Sequence, residues 1–112
     1  MDSILTSIKK LLGIAEEYTH FDNDIIMHIN SVFMVLTQLG VGPSEGFSIA
    51  GADETWDEYI TKGQNISTVK SYMYIKVRLL FDPPTSSAVM ESMTRMANEF
   101  EWRLNVAVDP SK

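Results

Sequence analysis

Two histidines and two aspartates lie close together and form the cluster that most resembles a metal site. A helix that begins near Asp22 would place Asp24 and His28 one turn apart, with His20 just before it. Imidazole and carboxylate groups are ligands that several divalent ions accept. Helix-capping and helix-dipole roles also account for both aspartates, and no third histidine exists. We therefore expect neither a metal nor another cofactor.

Other chemical motifs are missing from the sequence. The chain has no cysteine, which removes disulfides, thiolate metal sites and a cysteine nucleophile. The glycine-rich run from Gly40 to Gly46 lacks the lysine of a phosphate-binding loop, and no G-x-S-x-G motif occurs. We predict that the protein is not an enzyme.

No segment resembles a membrane anchor or an export signal. The longest apolar runs fall short of the roughly 18 to 20 residues that span a bilayer. The first residues also lack the basic-then-apolar order of a signal peptide. We expect a soluble protein without a membrane partner.

The negative charge of the chain is concentrated in its first half. The net charge is −6, and residues 1–56 carry eight acidic and two basic residues, whereas residues 57–112 carry seven of each. No Lys or Arg occurs between Gly13 and Tyr59. Because affinity for nucleic acid depends on Lys and Arg, tight DNA binding through this half is disfavoured. Its surface is either a solvated acidic face or one that meets a basic partner or lets nucleic acid pass.

The elements that must position these groups are helices. Apolar residues recur at helical spacing in four segments, which are residues 4–12, 25–39, 66–81 and 89–104. Trp56 and Tyr59 indicate a further one or two helical turns. Asp22 is predicted to cap the second helix, with Phe21 packing on Ile26 inside it. That helix is apolar around nearly its whole circumference, so it is either central or partly covered by another subunit.

The breaks between these segments define the fold class. Gly40 to Gly46 predict turns, and Pro83 and Pro84 end the preceding helix. From Trp102 onward apolar residues alternate, which favours an extended end. We predict one domain over residues 1–112, an all-α bundle of four to five helices. A Gly-rich loop separates the second and third helices, and residues 105–112 form an extended, flexible or partner-docking tail.

Methionines and aromatic side chains supply candidate contact surfaces. Six of the seven methionines lie on predicted helices. There they belong either to the core or to a surface whose flexible side chains adapt to a partner. The pairs Trp56 with Tyr59 and Tyr72 with Tyr74 leave the same two interpretations open.

The order of these segments resembles the head-to-tail connector proteins, also called adaptor or head-completion proteins, of long-tailed bacteriophages and prophages. The segments that carry the resemblance are LLGI (residues 11–14), FDNDIIMHINSVFMVLTQLGVGP (21–43), TWDEYI (55–60), KSYMYIKVRLLFDPPTS (70–86) and EFEWRLN (99–105). It spans nearly the whole chain and includes no catalytic signature.

The resemblance implies a structural virion protein at the neck, assembled in the host cytoplasm. Family members form a ring on the portal, usually dodecameric, which extends the DNA channel and presents a platform to stopper or tail-completion proteins. The expected partners are thus further copies of the chain, the portal and the next neck protein. Double-stranded DNA would pass through without sequence-specific binding.

The resemblance also suggests where the contacts lie. Residues expected on the channel or its rim are acidic and comprise Glu16, Glu17, Asp53, Glu54, Asp57 and Glu58. Residues expected between subunits are Met27, Met34, Tyr72, Met90 and Met93. Those expected to dock on the portal are Trp102, Leu104, Val106 and Val108. The loop directed toward the stopper or tail contains Gly42, Pro43 and Phe47.

Two other protein classes compete with this interpretation. Lys70, Lys76 and Arg78 share one predicted helix, so the alternative is a small cytoplasmic regulator or DNA-binding module of a mobile element. Salt-dependent retention on DNA would favour it. A metal-dependent hydrolase centred on His20 to His28 would require bound metal that His28→Ala abolishes.

Overall fold

The computed structural model describes residues 3–59 and 66–108, which form five helices. They are α1 (Ile4–Leu11), α2 (Asp22–Gln38), α3 (Trp56–Tyr59), α4 (Ile66–Phe81) and α5 (Ser87–Val108). Extended pairing within the described residues is limited to one antiparallel bridge between Ser3 and Thr55. The all-α class with a Gly-rich loop between the second and third helices is therefore confirmed.

The centre of the bundle is α4. It packs against α2 on one side and α5 on the other, and α1 closes the bundle by contacting both α2 and α4. The molecule is flat, with extents of 44 × 36 × 19 Å. Its core contains fully buried side chains from the first, second and fourth helices, among them Ile8, Ile29, Phe33 and Met73. Because α4 lies between α2 and α5, the outer faces of these two helices lie on different sides of the subunit.

Local signals fix both ends of α1. The Ser3 hydroxyl accepts a hydrogen bond from the Thr6 backbone N–H at 3.2 Å, as an N-cap does. At the other end Gly13 has a φ of +82°, the left-handed conformation that suits glycine after a helix.

The start of α2 differs from the prediction. Asp22 is the first helical residue, and Phe21 occupies the N-cap position without a side-chain capping bond. The Asp22 carboxylate instead lies 2.8 Å from the Lys9 ammonium of α1. Phe21 packs edge-on against Phe81 of α4, with ring centroids 5.3 Å apart. Contacts with distant helices thus replaced the expected local cap.

The loop between α2 and α3 folds over an aromatic cluster. Phe47 packs edge-on against Phe33 and Tyr59, at centroid distances of 5.1 and 5.3 Å. Asn30 holds the loop, since its side-chain amide both donates to and accepts from the Ile49 backbone. Burial raises the pKa of Tyr59, whose hydroxyl donates to the Val41 carbonyl oxygen.

The predicted extended tail is wrong for residues 105–108, because α5 continues to Val108. Ala97, Phe100 and Leu104 repeat at helical spacing and face the core, and this period outweighs the alternation after Trp102. The Asn105 side chain also donates to the Leu39 carbonyl oxygen at 3.4 Å, which ties the last turns to the end of α2. Residues 109–112 lie outside the described part of the chain.

Candidate interaction surfaces

The outer face of α2 carries two of the most exposed methionines. Met27 and Met34 are 58% and 65% exposed and lie two turns apart. Between them lies Ser31, whose hydroxyl donates back to the Met27 carbonyl oxygen. We call Met27, Ser31 and Met34 the α2 ridge. The buried residues of α2 lie on its opposite side, so the ridge faces away from the core.

A groove opens where the end of α1 meets α4 and α5. Its volume is about 420 Å³, and the side chains that define it are Leu11, Lys70, Tyr74, Met93, Met96 and Phe100. Leu11 and Met96 are each about half exposed. Among the described residues that line the groove, Lys70 carries the charge. Its ammonium lies 5.7 Å from the centroid of the Trp56 ring. We call this feature the α4–α5 groove.

The methionines proposed for subunit contacts are accessible, but Tyr72 is not. Met90 is exposed, and Met93 is half-buried at the edge of the core. Tyr72 is completely buried, and its hydroxyl donates to Glu101 Oε2 at 2.6 Å. Burial, with Glu101 second, raises the pKa of this phenol. The assignment of Tyr72 to a subunit interface is therefore corrected: it joins α4 to α5 inside one subunit.

The residues expected to dock on the portal separate onto two faces of α5. Trp102 is 67% exposed and shares a helix face with exposed Val106 one turn later. Leu104 is buried in the core, so it is withdrawn from the docking surface. The side chain of Val108 lies outside the described part of the structure. Trp102 and Val106 form the outer patch of α5.

A buried lysine holds the acidic loop between α1 and α2. Lys9 is 2% exposed, and its ammonium donates to the carbonyl oxygens of Glu16 and Tyr18 at 2.9 and 2.7 Å. With Asp22 at 2.8 Å, three oxygens surround its three donors. The side chains of Glu16 and Glu17 remain exposed. Lys9 therefore fixes a loop that presents two carboxylates to solvent.

The second group of acidic residues surrounds the start of α3. Asp53, Asp57 and Glu58 are exposed, and Glu54 is half-buried. Glu54 and Glu58 also make local backbone contacts. Glu54 accepts from the N–H groups of Ala50 and Gly51, and the bond from Ala50 contributes most to lowering its pKa. Glu58 Oε1 accepts from the Thr55 N–H at 3.0 Å, as in a capping box. Both carboxylates thus help to form the loop that displays them.

The loop expected to face the stopper or tail packs on its own subunit. Gly42 has a φ of +82°, and a Cβ built there would lie 2.5 Å from Cε1 of Tyr59. Pro43 and Phe47 are half-buried, Phe47 within the aromatic cluster. The loop is therefore held in place by the aromatic side chains beneath it.

Comparison with known protein families identifies the family of the chain. The chain matches the model of a family described as phage connector protein over residues 4–111. It belongs to the phage connector protein family. No curated protein matches the chain, and no solved structure does.

In this connector the residues behind the alternative functions have structural roles. Lys70 lies over Trp56, Lys76 is 3.8 Å from Glu101, and Arg78 donates to the Asp82 carbonyl oxygen at 2.6 Å. All three bases of this helix therefore contact groups of their own subunit.

The histidine and aspartate cluster is likewise dispersed. His20 packs against Phe21, whereas Asp24 and His28 line an open cavity of about 560 Å³ beside Phe81. Among the described residues, no three acidic or histidine side chains are grouped to hold a metal ion. No helix in the described ranges has the length and apolar character needed to cross a bilayer.

Sequence reasoning missed two features of the connector. Lys9 appears in sequence as a base at a helix end, and only the fold brings the Glu16 and Tyr18 carbonyls to it. The α4–α5 groove combines side chains that are far apart in the chain. A signal for Lys9 exists in its position one turn after Leu5 on the buried face of α1, whereas its neighbour Lys10 falls on the exposed face.

Proposed function

We propose that this connector forms a ring between the portal and the stopper or tail-completion protein and so extends the DNA channel at the capsid vertex. The observation that carries the proposal is the family match over nearly the whole chain. We propose that the ring assembles from identical copies, one for each subunit of a dodecameric portal.

Exposed apolar surface supports an assembled state. The α2 ridge, the α4–α5 groove and the outer patch of α5 together place Leu11, Met27, Met34, Met96 and Trp102 in solvent. Several separate apolar patches on so small a subunit are typical of a protein with more than one partner surface. In a ring, two of these surfaces would contact neighbouring copies, and the patch at Trp102 and Val106 would meet the portal.

Charge supports the passage of DNA. Of the six predicted channel residues, five are exposed, namely Glu16, Glu17, Asp53, Asp57 and Glu58, and they lie in a segment without a single Lys or Arg. An acidic wall repels phosphate, so DNA would slide past it without being retained. We therefore propose these five residues for the channel or its rim, with Glu54 shaping the backbone behind them.

Co-sedimentation with the portal ring of the same phage tests the proposal. The wild-type chain is expected to travel with the portal and to appear as an added ring in negative-stain images. Trp102→Ala should weaken this association, whereas Thr94→Ala, an exposed change on a different face of α5, should leave it intact. A chain that stays at the top of the gradient and binds DNA in a salt-dependent manner would instead support the regulator class.

A further inference from the structure

We propose that neighbouring copies in the ring meet head to tail, with the α2 ridge of one copy seated in the α4–α5 groove of the next. This inference rests on the proposed ring and identifies its subunit contact. The occupant of the groove is therefore a second copy of the same chain, and the contact repeats around the ring.

The two surfaces match in chemistry. The ridge presents two flexible thioether side chains, Met27 and Met34, separated by the small Ser31. The groove is lined by leucine, methionine and aromatic side chains, which form favourable contacts with methionine sulfur. Each surface exposes apolar side chains that the isolated subunit leaves in water, and joining them would remove both from solvent.

The two surfaces also match in charge. The ridge lies within the base-free segment, with Asp24 on the turn before Met27 and Glu45 beside Met34 at a neighbouring cavity. The groove carries Lys70 as its charged lining residue. A head-to-tail contact thus brings carboxylates toward a lysine, whereas pairing two ridges would bring acid against acid.

The layout of the helices favours a head-to-tail contact over a contact between two ridges. The ridge points away from the core, and α4 separates α2 from α5, so the two surfaces belong to different parts of one subunit. Contacts between two different patches of identical copies are head-to-tail, and they close into rings when the rotation permits. A ridge-to-ridge contact is two-fold symmetric and stops at a dimer.

Cross-linking tests this contact cleanly because the natural chain has no cysteine. The double variant Met34→Cys/Met96→Cys would be assembled on the portal ring and treated with a short bis-maleimide. We expect a ladder of covalent oligomers, because each copy links to both neighbours. Either single variant, Met34→Cys or Met96→Cys, should give no covalent oligomers. The control pair Met34→Cys/Asn98→Cys, which uses the outer side of α5, should also give no ladder.

The outcomes separate this contact from the proposed ring. Rings visible in images but no ladder from the Met34/Met96 pair would overturn the contact and leave the ring standing. Covalent dimers from Met34→Cys alone would overturn it in favour of paired ridges. A wild-type chain that forms no ring on the portal would remove the proposed function and this inference together. Circular dichroism of each variant confirms that the exposed substitutions preserve the helices.

Discussion

The two longest helices of this connector serve different purposes. Five residues of α2 are buried, and they are covered by α1, α4 and the aromatic cluster. By contrast, α5 is the longest helix, packs mainly against α4, and buries only Ala97 and Leu104 among its described side chains. Thus α2 stabilises the subunit through its inner face, whereas α5 leaves much of its length available to partners.

Leu36→Ala in α2 gives the largest expected effect on stability. Leu36 is completely buried, so truncation leaves a cavity and should lower the free energy of unfolding by about 3 kcal/mol. Met34→Ala, on the ridge of the same helix, should change it by less than about 0.5 kcal/mol and weaken ring assembly instead. Urea unfolding followed by circular dichroism measures both. Equal losses would break the distinction between the two faces of α2.

Lys9→Met tests what holds the start of α2. The substitution preserves the apolar stem but leaves Asp22, about a quarter exposed, without its cation and two carbonyls without their donor. We expect a loss of about 2 kcal/mol, since breaking a buried pair is costly and partial exposure of Asp22 reduces the penalty. Lys10→Met, at the exposed neighbouring position, is the control. Similar unfolding midpoints for both variants would show that Lys9 does not fix the acidic loop.

Gly42→Ala tests the loop that follows α2. A left-handed conformation costs a non-glycine residue roughly 1 to 2 kcal/mol, and the new methyl group would also contact the Tyr59 ring. Gly13 has the same φ of +82°, but a methyl group added there would have no atom of the described residues within 4 Å. Thermal unfolding should therefore show a larger loss for Gly42→Ala than for Gly13→Ala. The reverse order would contradict the close packing of the loop on Tyr59.

Trp102→Ala should have the smallest effect on stability. Its side chain is two-thirds exposed on α5, so we expect the free energy of unfolding to change by less than about 0.5 kcal/mol. Calorimetry of the isolated chain measures this directly. A loss near that of Leu36→Ala would mean that the outer face of α5 stabilises the subunit as the inner face of α2 does.

The sequence could predict features that depend on local chemistry. Helical spacing, the run from Gly40 to Gly46 and the prolines after Phe81 indicated the helices and their breaks, because periodicity and chain stiffness act over a few residues. The family match confirmed the resemblance, which rested on the order of these segments.

Features that depend on distant contacts could not be predicted. Tyr72 became a core residue because its hydroxyl meets Glu101, which is 29 positions away. Asp22 left its expected capping role because Lys9 of another helix lies beside it. Leu104 belongs to the core although an alternating pattern surrounds it, because α4 decides which face of α5 is covered.

Cryo-electron microscopy of the portal ring incubated with this connector would show directly whether the α2 ridge and the α4–α5 groove are assembly surfaces. We expect a ring of copies on the portal in which Met34 of each copy lies against Met96 of the next and the buried face of α2 is unchanged. A map in which the α2 ridge and the α4–α5 groove both remain in solvent would contradict the claim that these are the assembly surfaces.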